Sequence, residues 1–183
     1  TKDQVKVSPQ MDILKKKGFD VLVTSDDIDE FMIQILREYD KHEFKSINQG
    51  DLDLLDDAEK EAIKSREDEC KDLLSALKEV KLSTRLSYCP VCLDSGDGLS
   101  FELEKVIRQM PGDKDMKADK ILEINPNHPL FQAVEKVYAN DKDLLSDYAW
   151  ILYDQALLIE GIADKDPVGF ADKMVRLMIK AAK

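Results

Sequence analysis

The chain has 183 residues, 43% of them hydrophobic, which is enough to bury one ordinary core or two small ones without disulfide or metal staples. Its 38 acidic residues outnumber 27 basic ones for a formal charge of -11, and no Lys/Arg cluster interleaved with aromatics offsets that field, so nucleic acid is excluded as an expected partner. The longest apolar runs, such as Val21 to Val23 and Ala156 to Ile159, fall far short of the ~20 residues of a bilayer span. No charged and apolar leader opens the chain, and three cysteines cannot complete an intramolecular disulfide set. A soluble protein of the cytoplasm, with no membrane partner, is expected. The start at Thr1, within a polar segment, reads as a piece of a longer protein.

In chain order, Ser8-Pro9 offers a cap and a first helical position, and Met11, Ile13 and Leu14 give a short helix ending at Gly18. Phe19 to Val23 is dense in β-formers and reads as a strand. Ser25-Asp26-Asp27 then caps a helix carrying Ile28, Phe31, Met32, Ile35 and Leu36. His42 to Ile47 reads as a second strand, and Asn48-Gln49-Gly50-Asp51 as a boundary. The expected division is a small α/β unit over 1–50 and a second, larger unit over 51–183.

Asp57 to about Val80 is rich in helix formers, with Ala62, Ile63, Cys70, Leu73, Leu74 and Leu77 sparse at first and dense later, so one long helix is expected to dock by its far end. Val80 to Leu86 alternates with period two, Pro90 to Leu93 gives a second short strand expected to pair with it, and Lys120 to Ile124 a third. Between them Leu99, Leu103, Val106, Ile107 and Met110 line one face of a helix, with Phe101 off the stripe, and 111–120 reads as a loop. That helix is either packed on the strands or an amphipathic surface offered to other proteins, and the pattern leaves both open. Asn127 is the expected cap of the next helix, with Pro129 in its first turn.

The last two helices are apolar on too many sides for one neighbour. In 142–161 one stripe is Leu145, Tyr148, Ala149, Leu152, Ala156 and Ile159, and a second is Leu144, Ile151, Gln155 and Leu158. In 167–183 Phe170, Met174, Leu177, Met178 and Ala181 stand beside Val168, Ala171, Val175, Ile179 and Ala182. A wide arc needs a second surface to cover it, which points to association.

Cys89-Pro90-Val91-Cys92 could be a redox pair or half a metal site, but the glycines at 96 and 98 prevent the helix that would activate the first thiol, and no second close ligand pair exists for zinc. Packed thiols are the plainer reading. His42 and His128 fit turn and capping positions, and no nucleophile elbow, zinc helix, Walker loop or dinucleotide fingerprint is present. The chain by itself is not expected to be an enzyme or to hold a cofactor or metal.

Residues 8–22 (Ser8-Pro9-Gln10-Met11-Asp12-Ile13-Leu14-Lys15-Lys16-Lys17-Gly18-Phe19-Asp20-Val21-Leu22), Ile28-Asp29-Glu30-Phe31, Ile121 to Pro129 (most specifically Glu123-Ile124-Asn125-Pro126-Asn127-His128-Pro129), Tyr153-Asp154-Gln155-Ala156-Leu157-Leu158 and Asp166-Pro167 resemble, in order and spacing, the ninety-kilodalton heat-shock chaperones. The likeness covers nearly the whole chain, from the end of that family's middle domain through its C-terminal dimerisation domain. Ending at Ala181-Ala182-Lys183 without a Met-Glu-Glu-Val-Asp tail, it is similar to the bacterial form. The resemblance implies an α+β fold, mostly helical: a small α/β unit, a long helix, a small three-stranded antiparallel sheet, and C-terminal helices forming an intermolecular four-helix bundle. It implies a homodimer seam at Leu152, Gln155, Ala156, Ile159, Phe170, Met174, Leu177 and Met178, and contact with unfolded or partly folded client proteins through Leu99, Leu103, Val106 and Ile107. The parent would be an ATP-dependent chaperone whose ATP and Mg site lies in an N-terminal domain outside this chain. A thiol-redox or metal-binding protein and a helical adaptor for a different protein are the rival readings.

Overall fold

The computed structural model describes residues 8–50, 52, 54–77, 80–110, 116–163 and 165–182. Helix α1 (Met11–Lys16) buries Met11 and Leu14 and stops where Gly18 takes a φ of +78°. The Phe19 N–H then reaches back to the Leu14 carbonyl and the Gly18 N–H to Lys15, a left-handed helix stop that glycine adopts without strain. Residues 19–23 form no strand, contrary to their β-rich composition, and Phe19 and Leu22 are exposed. A strand needs a partner's ladder as well as local preference, and the described residues supply none there. Helix α2 (Asp27–Leu36) opens with the Asp29 carboxylate accepting the Ser25 and Asp26 N–H groups at 3.1 Å each. The expected second strand shrinks to a hairpin of β1 (Glu38–Tyr39) and β2 (His42–Glu43), turned through Asp40 and Lys41, both at positive φ.

The expected long helix is two. α3 (Asp57–Glu69) begins with a reciprocal cap between Asp56 and Glu59 and buries nothing. Cys70 leaves helical geometry, and α4 (Lys71–Leu77) continues with Leu73 and Leu77 in the core. The sheet corrects the expectation more deeply. β3 (Val80–Leu82) and β4 (Val91–Asp94) do not pair with each other, because β5 (Ile121–Ile124) lies between them, parallel to β3 and antiparallel to β4. A parallel pair needs a long crossover, which the chain between β3 and β5 provides, carrying β4 and α5 (Phe101–Gln109) on the way.

Cross-strand partners share a face, so Val91, Leu93, Leu122 and Ile124 lie on one side of the sheet and Cys92, Asp94 and Glu123 on the other. Both sides are buried. α6 (Pro129–Asn140) is capped by His128, one position after the expected Asn127, its Nδ1 accepting the Leu130 N–H at 3.1 Å. α7 (Lys142–Ile159) is capped by Asp141 and α8 (Pro167–Ala181) by Asp166. One core joins Leu73, Leu77, the apolar sheet face, Phe101, Phe131 and Val134 to Leu145, Leu152, Ala156 and Leu157 of α7.

Candidate functional site

Most of the α7 arc is covered by its own chain. Leu145, Leu152, Ala156 and Leu157 face the core, and Ile151 and Asp154 are buried on other sides of the same helix. Two of the expected seam residues, Leu152 and Ala156, therefore sit inside the protomer at 4% and 0% exposure. Gln155 and Ile159 are half-buried, and Leu158 and Trp150 are exposed.

α8 differs, since none of its described residues is buried. Phe170, Met174 and Leu177 are half-buried on the side that packs against α7, where Arg176 pairs with Asp147 at 2.9 Å, Lys180 with Asp141 at 2.8 Å, and Lys173 lies over the Trp150 ring. On the opposite side Val168, Val175, Met178 and Ile179 repeat at helical spacing and stand 53–70% exposed. Gly169 has its reason here, because a Cβ would meet the Asp166 carboxylate that caps the helix through the Gly169 N–H.

The α5 residues divide similarly. Phe101, off the predicted stripe, is 1% exposed and is the true anchor, while Leu103 is buried and Leu99, Val106 and Ile107 are half-buried. Ser100 caps the helix and donates to Glu30 of α2, which packs against α5. Met32, Ile35 and Leu36 of α2, with Met110 and Met116, leave apolar surface exposed. Burial drives the Glu104 carboxyl upward, but the Ala118 N–H, Lys120 and Arg108 outweigh it and hold it below the ordinary carboxylate value. A cleft of about 150 Å³ between α5 and the turn after α7 is smaller than the ~300 Å³ at which ligand pockets usually begin.

Sequence reasoning missed the polar face of the sheet. The Arg85 guanidinium, 2% exposed, donates to Glu123 at 3.1 Å and to the carbonyls of Ile47 and Gly50, and lies 3.8 Å from Asp94. It ties residues 47–50 to the sheet. Burial raises the Glu123 carboxyl, opposed by Arg85 and by the Ser83 hydroxyl. An Arg beside an apolar alternation was the available signal.

The thiols are free and none is activated: burial raises Cys70 and Cys89, and burial with the adjacent Glu123 raises Cys92 well above its ordinary value. Among the described residues no group of three or more His, Cys, Asp or Glu is placed to hold a metal, and no helix is long and apolar enough to cross a membrane.

Comparison with known proteins gives the context. The family model described as Hsp90 protein matches residues 1–183. A protein of Clostridium acetobutylicum named chaperone protein HtpG is 41% identical over 96% of this chain, and its namesakes in Bacillus subtilis and Clostridium botulinum (strain Langeland) are 38% and 43% identical over 97% and 96%. The aligned region is 29%, 30% and 29% of those relatives' own lengths, so the chain spans under a third of each. The chain belongs to the Hsp90 family of chaperones.

Proposed function

We propose that this chain is the self-association and client-contact region of an ATP-dependent chaperone of protein folding and the stress response. The observation that carries the reading is α8, whose inner side rests on α7 while its outer side, Val168, Val175, Met178 and Ile179, is left exposed by the described residues. A second copy related by a two-fold axis would lay the same helices against each other as a four-helix bundle. Full burial of such a side chain stabilises by about 1.5–3 kcal/mol, so half that from eight side chains gives roughly 6–12 kcal/mol. Association costs about 4–15 kcal/mol, so α8 alone nearly breaks even and a stable pair must also cover apolar area on α7, where Leu158 and Trp150 are exposed. The seam is thus assigned to the outer face of α8 with Met178, flanked by Gln155, Ile159, Phe170, Met174 and Leu177. Leu152 and Ala156 support it from within.

Client contact is assigned to Leu99, just before α5, and to Val106 and Ile107 on the apolar side of α5, backed by the buried Leu103 and extended by the exposed apolar side chains of α2. Partly folded proteins exposing apolar segments fit that surface. In this reading the nucleotide is bound by the parent outside this chain, whose own sequence carries no glycine-rich phosphate loop. Pairing of this region would then hold the nucleotide-binding parts of two parents at high effective concentration. Sedimentation equilibrium on the chain, beside a version ending before Pro167, tests the reading. A dimer that becomes a monomer on losing α8 is expected, and a monomer at all concentrations would overturn self-association.

A further inference from the structure

The end of α7 carries a group that neither the dimer nor the client reading uses. Glu160 is the C-cap residue, fixed by a stop in which Ile162 N–H bonds to Leu157 and Gly161 takes a φ of +66°. Its carboxyl meets two distant parts of the chain. Asn48 donates from Nδ2 to its Oε2 at 3.2 Å, and Gln10, itself fully buried, has its Oε1 occupied by Ser8 at 2.6 Å while its Nε2 is left to the Glu160 carboxyl without completing a bond of ordinary length. The Asn48 Oδ1, on the amide already held by Glu160, is buried with no partner. A carboxylate can only accept, whereas a carboxylic acid brings an O–H that such an orphaned oxygen can receive. Among the described residues the charged neighbours are both on α5: Glu102 opposes the carboxylate, and Lys105, which donates to the Glu160 carbonyl and pairs with Glu102, favours it. On β4 the Cys92 thiol feels its charge, and the facing groups among the described residues of 8–11 and 46–50 are the neutral amides of Gln10, which favours the carboxylate, and Asn48.

We propose that Glu160 is a proton-operated latch between the end of α7 and the segments at 8–11 and 46–50, fastening them when protonated and loosening them when ionised. Burial, then repulsion from Glu102, lifts its carboxyl from 4.5 to about 7. The sign follows from linkage: the fastened state binds the proton more tightly than the open one, so its advantage grows as pH falls through 7 and levels off below the ordinary value. Because 46–50 is also held by Arg85 and by Ser95 N–H on the Asn48 carbonyl, acidification stiffens the joint between the first part of the chain and the C-terminal helices.

The test is amide hydrogen exchange, corrected for intrinsic rates, on the chain and on Glu160→Gln at pH 6 and pH 8. The amides of Gly50 and Ser95, bonded across the joint to Asp94 and Asn48, are expected to exchange faster than those of β5 and to gain about tenfold in protection at pH 6, the linkage limit for a carboxyl moving between about 7 and 4.5. Glu160→Gln, neutral and of the same shape, should show high protection at both pH values. An equal pH response in the variant, no response in the parent, or joint amides that open only together with β5 each overturns the proposal. If the variant does not fold, carboxyl-carbon NMR of the parent replaces it: a Glu160 midpoint near 7 tracked by the Asn48 side-chain amide is expected, and an ordinary midpoint refutes the latch.

Discussion

Helices α7 and α8 both carry apolar side chains around most of their circumference, yet α7 buries residues on several sides in its own chain while α8 buries none among those described. The difference lies in what each helix meets. α7 runs against β4, α4 and α6, and then receives α8 on a further side, whereas among the described residues the main contact of α8 is with α7. An apolar arc read from sequence reports how much covering a helix wants, and the fold decides how much of it comes from the same chain.

The comparison can be attacked at α7 first. Leu152→Ala removes a core side chain and should lower stability by about 2–5 kcal/mol, read as a shifted urea midpoint, because the surrounding sheet and helices can only partly close the cavity. If this substitution leaves stability nearly unchanged, the claim that α7 spends its arc within the protomer fails. A smaller effect is expected at the start of α8. Asp166→Ala removes the side chain that accepts the Gly169 N–H, at a cost of about 1 kcal/mol, visible as lost helicity and weaker self-association with the core unfolding transition retained. Smallest of all, Arg176→Ala breaks an exposed pair with Asp147 and should change stability by less than about 1 kcal/mol, since screened surface pairs contribute little. A larger loss in that variant would mean that charge, and not the apolar contacts of Phe170, Met174 and Leu177, holds α8 to α7.

Much of the helical fold was legible because a 3.6-residue period survives any tertiary arrangement. The short α1, the α2 stripe and the two C-terminal helices all form near their expected bounds. Strand order was not legible. β3 and β4 are close in sequence and each has a strand's composition, and nothing local announces that β5 will enter between them. Glu123 shows the same limit: in an alternating strand it reads as a solvent-facing residue, and partners about 40 positions earlier, Arg85 and Ser83, explain its burial. Phe101 was misplaced because the stripe was drawn through α5 at one phase, while the helix enters the core with its first residue. For the candidate seam, periodicity identified which α7 positions are apolar but not which neighbour takes them, so the buried Leu152 and Ala156 joined a list whose one exposed member, Met178, lies on α8.

The most direct test of the central claim is sedimentation equilibrium on the chain and on the double variant Val175→Glu with Ile179→Glu, with circular dichroism as a check on folding. Placing two charges per protomer on the outer face of α8 leaves the protomer's core untouched but forces carboxylates into any apolar seam formed there. The expected result is a dimer for the parent and a folded monomer for the variant. A variant that self-associates as tightly as the parent would contradict the assignment of that face.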